Sequence, residues 1–193
     1  VTATDTAPLC GAHLKAGRRR YFAQPMNTEY HGEVGLRILL GFVVRETVKY
    51  DRGIEPTFCY AREHFVRLHV RLIRGAGAAD NTLKQIGFIL QCPKCTYREE
   101  HPGMVPPTAS CPHCNVQLGF IGPLWLGSIR NTEVLLQMKE QLDSLELGTK
   151  KDLKKLIDLC IDELATFCDF FYFGFRNDLT AAHILDSKVR RLV

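Results

Sequence analysis

The chain has 193 residues, of which 46% are hydrophobic and 24% charged, and carries a formal net charge of +4. That size and apolar share support one large or two small packed domains and exclude wholesale disorder. The mild positive balance permits RNA without demanding it, so a basic surface has to come from clustering.

No stretch reads as spanning a membrane. The longest apolar run, residues 36–44, is broken by Arg37 and falls far short of the roughly 20 residues a spanning helix needs. No secretory signal opens the chain. The expected compartment is the cytoplasm, where thiols stay reduced and clustered cysteines favour metal over disulfides. Val1 opens inside a strand-like pattern and Val193 closes a helix-like pattern without a cap, so both ends are expected to be cut from a longer protein.

In chain order, a strand-like start runs into a Pro- and Gly-bearing loop at residues 5–11. Lys15, Arg18, Arg19 and Arg20 then crowd a short segment. Residues 29–50 are expected to be helical, with Val34, Ile38, Leu39, Phe42, Val43 and Val48 at helical spacing and Gly53 as the stop. Residues 54–61 and 65–73 read as two strands joined by a short turn. In the second, Val66, Leu68, Val70 and Leu72 share one face while Phe65, Arg67, His69 and Arg71 share the other. One face is expected in the core and the other is basic.

Residues 75–81 read as a small-residue loop, and residues 86–91 as a strand leading into a cysteine region that closes near Leu118. Gly75-Ala76-Gly77 lacks the third glycine of a nucleotide loop, since Asp80 stands there, and is read as a turn. Two helices are expected at about residues 132–146 and 150–166, with Asn131 and Thr149 as N-caps and Asp152 in place for a capping box. The aromatic stretch from Phe167 to Phe175 is read as core packing, because the basic-glycine lead of an RNA-recognition motif is absent.

Cys92-Pro93-Lys94-Cys95 and Cys111-Pro112-His113-Cys114 stand fifteen residues apart. Two residues between cysteines let a tight turn aim both sulfurs at one point, and two such turns complete a tetrahedron. A proline in each knuckle pre-sets the turn. Four thiolates leave no open coordination position, so the expected metal is structural zinc bound by Cys92, Cys95, Cys111 and Cys114. Iron in a rubredoxin-like site and a disulfide pair are the competing readings of the same spacing. His113 lies between cysteines and is not counted as a ligand. Cys59, Cys160 and Cys168 sit in apolar contexts and read as core thiols. No histidine base is placed by sequence to activate Cys10. Lys15, Arg18, Arg19, Arg20, Arg67 and Arg71 are the candidate RNA contacts, against the plainer reading of a solvated surface.

Several segments together resemble the tRNA (guanine-26-N2)-dimethyltransferase family, archaeal members above all. They are VTATDTAPLCG at residues 1–11, NTEYHGEVGLRILL at 27–40, KYDRGI at 49–54, HFVRLHVR at 64–71, the paired knuckles, and GPLWLG at 122–127. The resemblance runs from residue 1 to about residue 165. It implies an α/β fold in two parts: residues 1–75 as the tail end of a Rossmann-like methyltransferase sheet, and residues 76–193 as a zinc-knuckle-containing α+β/helical domain that grips tRNA. It also implies S-adenosylmethionine as cofactor and methyl transfer to the exocyclic N2 of guanine, on a base taken out of its stack.

The family's cofactor-binding turn and catalytic loop fall upstream of Val1, so no catalytic or cofactor residue is carried onto this chain, which alone is expected to be inactive. Asp5 and Thr6 follow the strand that lines the pocket in the family. A stand-alone, non-catalytic zinc ribbon that binds nucleic acid is the alternative; a redox or metal-storage protein is a weaker third. The sequence does not fix the oligomeric state.

Overall fold

A computed structural model describes residues 1–62, 64–95 and 97–165; the aromatic stretch and Cys168 lie outside them. The order is β1 (Thr2–Ala3), α1 (Leu14–Tyr21), α2 (His31–Thr47), β2 (Arg52–Arg62), β3 (Phe65–Arg74), α3 (Ala76–Leu83), β4 (Ile86–Gln91), β5 (Arg98–Pro102), β6 (Gly119–Trp125), α4 (Thr132–Ser144) and α5 (Lys150–Ala165). The strands form two small sheets, ordered β1-β3-β2 and β5-β4-β6. All their pairings are antiparallel.

α2 is apolar on nearly every side, as Val34, Leu36, Ile38, Leu39, Leu40 and Val44 are all buried. A helix of that kind needs cover all round. It gets it by lying against β2 and β3 of one sheet and β6 of the other. Gly41 makes the second contact possible, since a Cβ there would stand 3.0 Å from Leu124 Cα. Arg37 ties the same helix to the end of β6 and the turn after it: its Nε donates to Glu33 at 2.8 Å, and its guanidinium reaches the carbonyls of Trp125 at 3.0 Å and Gly127 at 2.8 Å. One buried apolar cluster therefore runs from Leu9 through α2, β2 and β3 into β4 and β6.

Three expectations need correction. The helix anticipated to residue 50 ends at Thr47; a 3-10 turn (Val48–Tyr50) follows, and Asp51 at φ 53° stops it. Gly53 lies inside β2. Residues 76–83 form α3 and not a loop, because Ala79 and Thr82 are buried and the Thr82 hydroxyl accepts from the Ile54 amide at 3.1 Å. Packing of small residues there replaces the missing apolar period. On β3 the apolar face is covered only in part: Val66 and Leu68 are buried, Val70 is half-buried, and Leu72 is exposed.

The Asn131 side chain accepts from the Val134 amide at 3.2 Å, as an N-cap should. α4 and α5 then pack on one another and on β2 through Phe58, Leu135 and Cys160. A buried Arg130–Glu163 ion pair joins α5 to the segment that leads into α4, one residue before its N-cap Asn131. Among the described residues, no helix is long and apolar enough to cross a membrane.

Candidate metal centre, basic surface and cavity

β4 ends at Gln91 and delivers Cys92 straight into the first knuckle. The Cys92 amide donates to the Tyr97 carbonyl at 2.9 Å, closing the turn, while the amides of Lys94 and Cys95 each point at Cys92 Sγ at 3.4 Å. The second knuckle repeats the pattern. Cys111 N donates to Val116 O at 2.8 Å, Asn115 N donates to Cys111 O at 2.8 Å, and Asn115 takes the left-handed conformation at φ 57°. Asn tolerates that region better than most side chains.

The result brings all four sulfurs within 4.8 Å of one another. Cys92–Cys114 and Cys95–Cys111 are each 3.4 Å apart, and Cys95–Cys114 is 3.9 Å. A disulfide needs about 2.05 Å. Tetrahedral zinc with bonds of about 2.3 Å would set its sulfurs roughly 3.8 Å apart. The spacing therefore suits a shared cation and not a bond between sulfurs. Burial works against the Cys92 thiolate, but the amides of Cys95 and Lys94 outweigh it and bring that thiol down to about 6. At Cys95 the Tyr97 amide favours the thiolate, yet burial and the neighbouring sulfurs prevail and raise it to about 12. Four such groups can ionise together only around a positive charge. His113 is outside the cluster, its ring packed 5.1 Å from that of Tyr97.

The basic candidates fall in two places. Lys15, Arg18, Arg19 and Arg20 project from α1 into solvent. Arg18 bonds Gln24 at 2.6 Å and Arg20 bonds Asp5 at 2.5 Å. On β3, Arg67 donates to the Thr2 hydroxyl at 3.2 Å and Arg71 pairs with Glu55 at 3.3 Å. Arg20 and Arg67 thus gather at the two ends of the residue 2–5 segment, while Arg71 lies four residues further along β3.

A cavity of about 300 Å3 opens beside that segment, lined among others by Thr6, Cys10, Asn27, His31, Arg62 and Phe65. These come from three separate stretches of chain, which is why residue patterns did not group them. Burial holds the Cys10 thiol up at about 11, so it is a wall and not a nucleophile.

Known proteins give this geometry a context. The sequence matches the family described as N2,N2-dimethylguanosine tRNA methyltransferase over residues 1–188. It is 67% identical over 172 residues to a protein of Methanoregula boonei named tRNA (guanine(26)-N(2))-dimethyltransferase, a match covering 89% of this chain and 46% of that one. A protein of the same name from Methanoculleus marisnigri is 58% identical over 194 residues, covering 100% of this chain and 52% of the relative. The chain spans about half the length of the curated relatives it matches. Among solved structures, Trm1 from Pyrococcus horikoshii in complex with S-adenosyl-L-methionine superposes with a TM-score of 0.75 at 38% identity, covering 83% of this chain and 41% of that chain.

Proposed function

The chain belongs to the N2,N2-dimethylguanosine tRNA methyltransferase family, and from that premise we propose that it is the rear half of an S-adenosylmethionine-dependent enzyme that methylates N2 of guanine 26 in tRNA. The observation that carries this is the superposition on the S-adenosyl-L-methionine complex of Trm1, which takes in 83% of the chain. A free-standing zinc ribbon would account for residues 92–118 alone and leaves the first sheet unexplained.

Within that enzyme, residues 1–75 contribute the last strands of the methyltransferase sheet and residues 76–193 the part that grips tRNA. The buried cluster shared by α2, β4 and β6 supports a rigid seam between the two. Cys92, Cys95, Cys111 and Cys114 hold zinc, which supplies a cross-link between two knuckles that have little apolar packing of their own. Lys15, Arg18, Arg19, Arg20, Arg67 and Arg71 meet RNA phosphates. The S-adenosylmethionine pocket and the groups that carry out methyl transfer belong to the part preceding Val1. Reduced thiols and a structural zinc fit the cytoplasm.

The test joins the front half of the Methanoregula boonei relative to Val1 of this chain and supplies radiolabelled S-adenosylmethionine and transcribed tRNA. Label enters tRNA carrying guanine at position 26 and not tRNA carrying adenine there. Labelling that ignores this substitution refutes the assignment.

A further inference from the structure

We propose that Phe22, at the end of the basic stripe on α1, stacks on an unpaired base of tRNA. This rests on the function proposed above and deepens it, because it adds a base contact to a surface assigned so far to phosphates alone. Phe22 closes α1 in the left-handed conformation, at φ 49° and ψ 40°, and is 72% exposed. That conformation crowds an L side chain and is the habitual place of glycine at a helix end. Among the described residues two other non-glycines have positive φ, Asp51 and Asn115, short polar types that the region tolerates. Phe22 carries the same strain with a bulky ring and with little burial to offset it.

The backbone around it is fixed. Its amide donates to the Arg18 carbonyl at 3.0 Å, and the Tyr21 carbonyl accepts from Arg45 of α2 at 2.5 Å. Two residues on, the Gln24 amide donates to the Gly122 carbonyl of β6 at 2.6 Å, and the Gly122 amide returns the bond at 2.9 Å. Phe22 is therefore presented from a rigid corner between α1, α2 and β6, so little chain freedom is lost when it meets a partner. A single exposed Phe is ordinary on a protein surface. One held outward against backbone strain points to a contact.

The neighbours identify the partner. Lys15, Arg18, Arg19 and Phe22 follow the i, i+3, i+4, i+7 spacing of one helix face, and all four are exposed. Gly17, on the opposite side, is buried where a Cβ would stand 2.5 Å from the Pro8 carbonyl oxygen. Within the cluster Arg20 pairs with Asp5 at 2.5 Å, while Arg18 bonds the neutral Gln24 side chain at 2.6 Å, so the stripe keeps its positive charge. An acidic polymer with flat aromatic groups answers both parts of that stripe: phosphates for the cations, a base face for the ring. Paired bases hide their faces within the stack, so the base is one left open in a loop or bulge.

The experiment uses the full 193-residue chain, zinc-loaded, and transcribed tRNA. Phe22→Gly should melt no lower than wild type, because glycine suits the left-handed position, and should bind tRNA about tenfold more weakly. Stacking releases no counterions, so the slope of log affinity against log salt should keep its wild-type value. Phe22→Trp should bind at least as tightly as wild type, with its indole emission quenched by tRNA; Trp125 is buried and does not supply that response. Wild-type affinity in Phe22→Gly, a shallower slope, or an indole that tRNA leaves unquenched overturns the proposal. In the chain joined to the front half of the Methanoregula boonei relative, the introduced indole should stay solvent-exposed until tRNA is added. Shielding before then makes the front half the partner of Phe22 and overturns base stacking. Equal binding of tRNA by wild type and Phe22→Gly removes the stacking and leaves the enzyme assignment standing. No binding of tRNA by wild type, alone or joined to the front half, overturns both.

Discussion

Residues 31–74 and residues 92–118 are neighbours in one molecule held together by opposite means. In the first, Leu36, Ile38, Leu40, Ile54 and Leu68 are buried along α2, β2 and β3, and stability is spread over many methylenes. In the second, the buried cluster consists of Leu90, Cys92, Cys111 and Leu118, so half its members are thiols. Hydrophobic burial scales with area; that cluster has too little area to hold a long, proline-bearing loop. On the proposed zinc site, cohesion there is concentrated at one point among four sulfurs. A distributed core weakens by degrees, while a single cross-link fails all at once.

The sharpest way to break this contrast is to remove the point. Structural zinc adds apparent stabilisation of about 10–16 kcal/mol in small zinc domains, so chelation or Cys95→Ser should free the remaining knuckle thiols to alkylating reagent. Cys10, Cys59 and Cys160 should stay protected, because burial holds them at about 11, 11 and 12. Simultaneous labelling of all seven described cysteines would show that the two regions stand or fall together.

Leu36→Ala tests the other side. Leu36 is fully buried, and its truncation should cost about 2–5 kcal/mol, read as a lower urea midpoint. The four knuckle thiols should remain protected in native buffer; their release would mean the core props up the knuckles.

Two smaller effects sharpen the picture. Asn131→Ala should cost about 1 kcal/mol through loss of its bond to the Val134 amide, with helicity falling in α4 and zinc content unchanged. Arg19→Ala, on the exposed face of α1, should alter stability by no more than about 0.5 kcal/mol. If Arg19 belongs to the proposed RNA surface, its effect lies in tRNA affinity, where the slope of log affinity against log salt should become shallower by about 1. An unchanged slope would take Arg19 off the RNA surface.

How legible each part was depends on how local its cause is. The knuckles could be read because the spacing of four cysteines within one stretch encodes the geometry directly. β2 and β3 could be read from alternation, and α2 from its apolar period. α3 could not: its helix depends on burial of Ala79 and Thr82 beside Gly53, where a Cβ would stand 2.5 Å from the Ala78 carbonyl oxygen, a contact no local pattern announces. β5 was hidden for the opposite reason. Arg98-Glu99-Glu100-His101-Pro102 has no apolar period, and it is a strand only because β4 offers it an edge. The cavity was hidden because Thr6, His31, Arg62 and Phe65 meet only after the sheet and α2 are assembled.

Hydrogen exchange on the same 193-residue chain, with zinc bound and after chelation, tests the central contrast most directly. Amides of residues 92–118 should lose their protection on chelation, while those of β2, β3 and α2 keep theirs. Protection that survives in the knuckles, or that vanishes along β2 and β3 with the metal, would contradict a metal-stapled module set on an independently stable core.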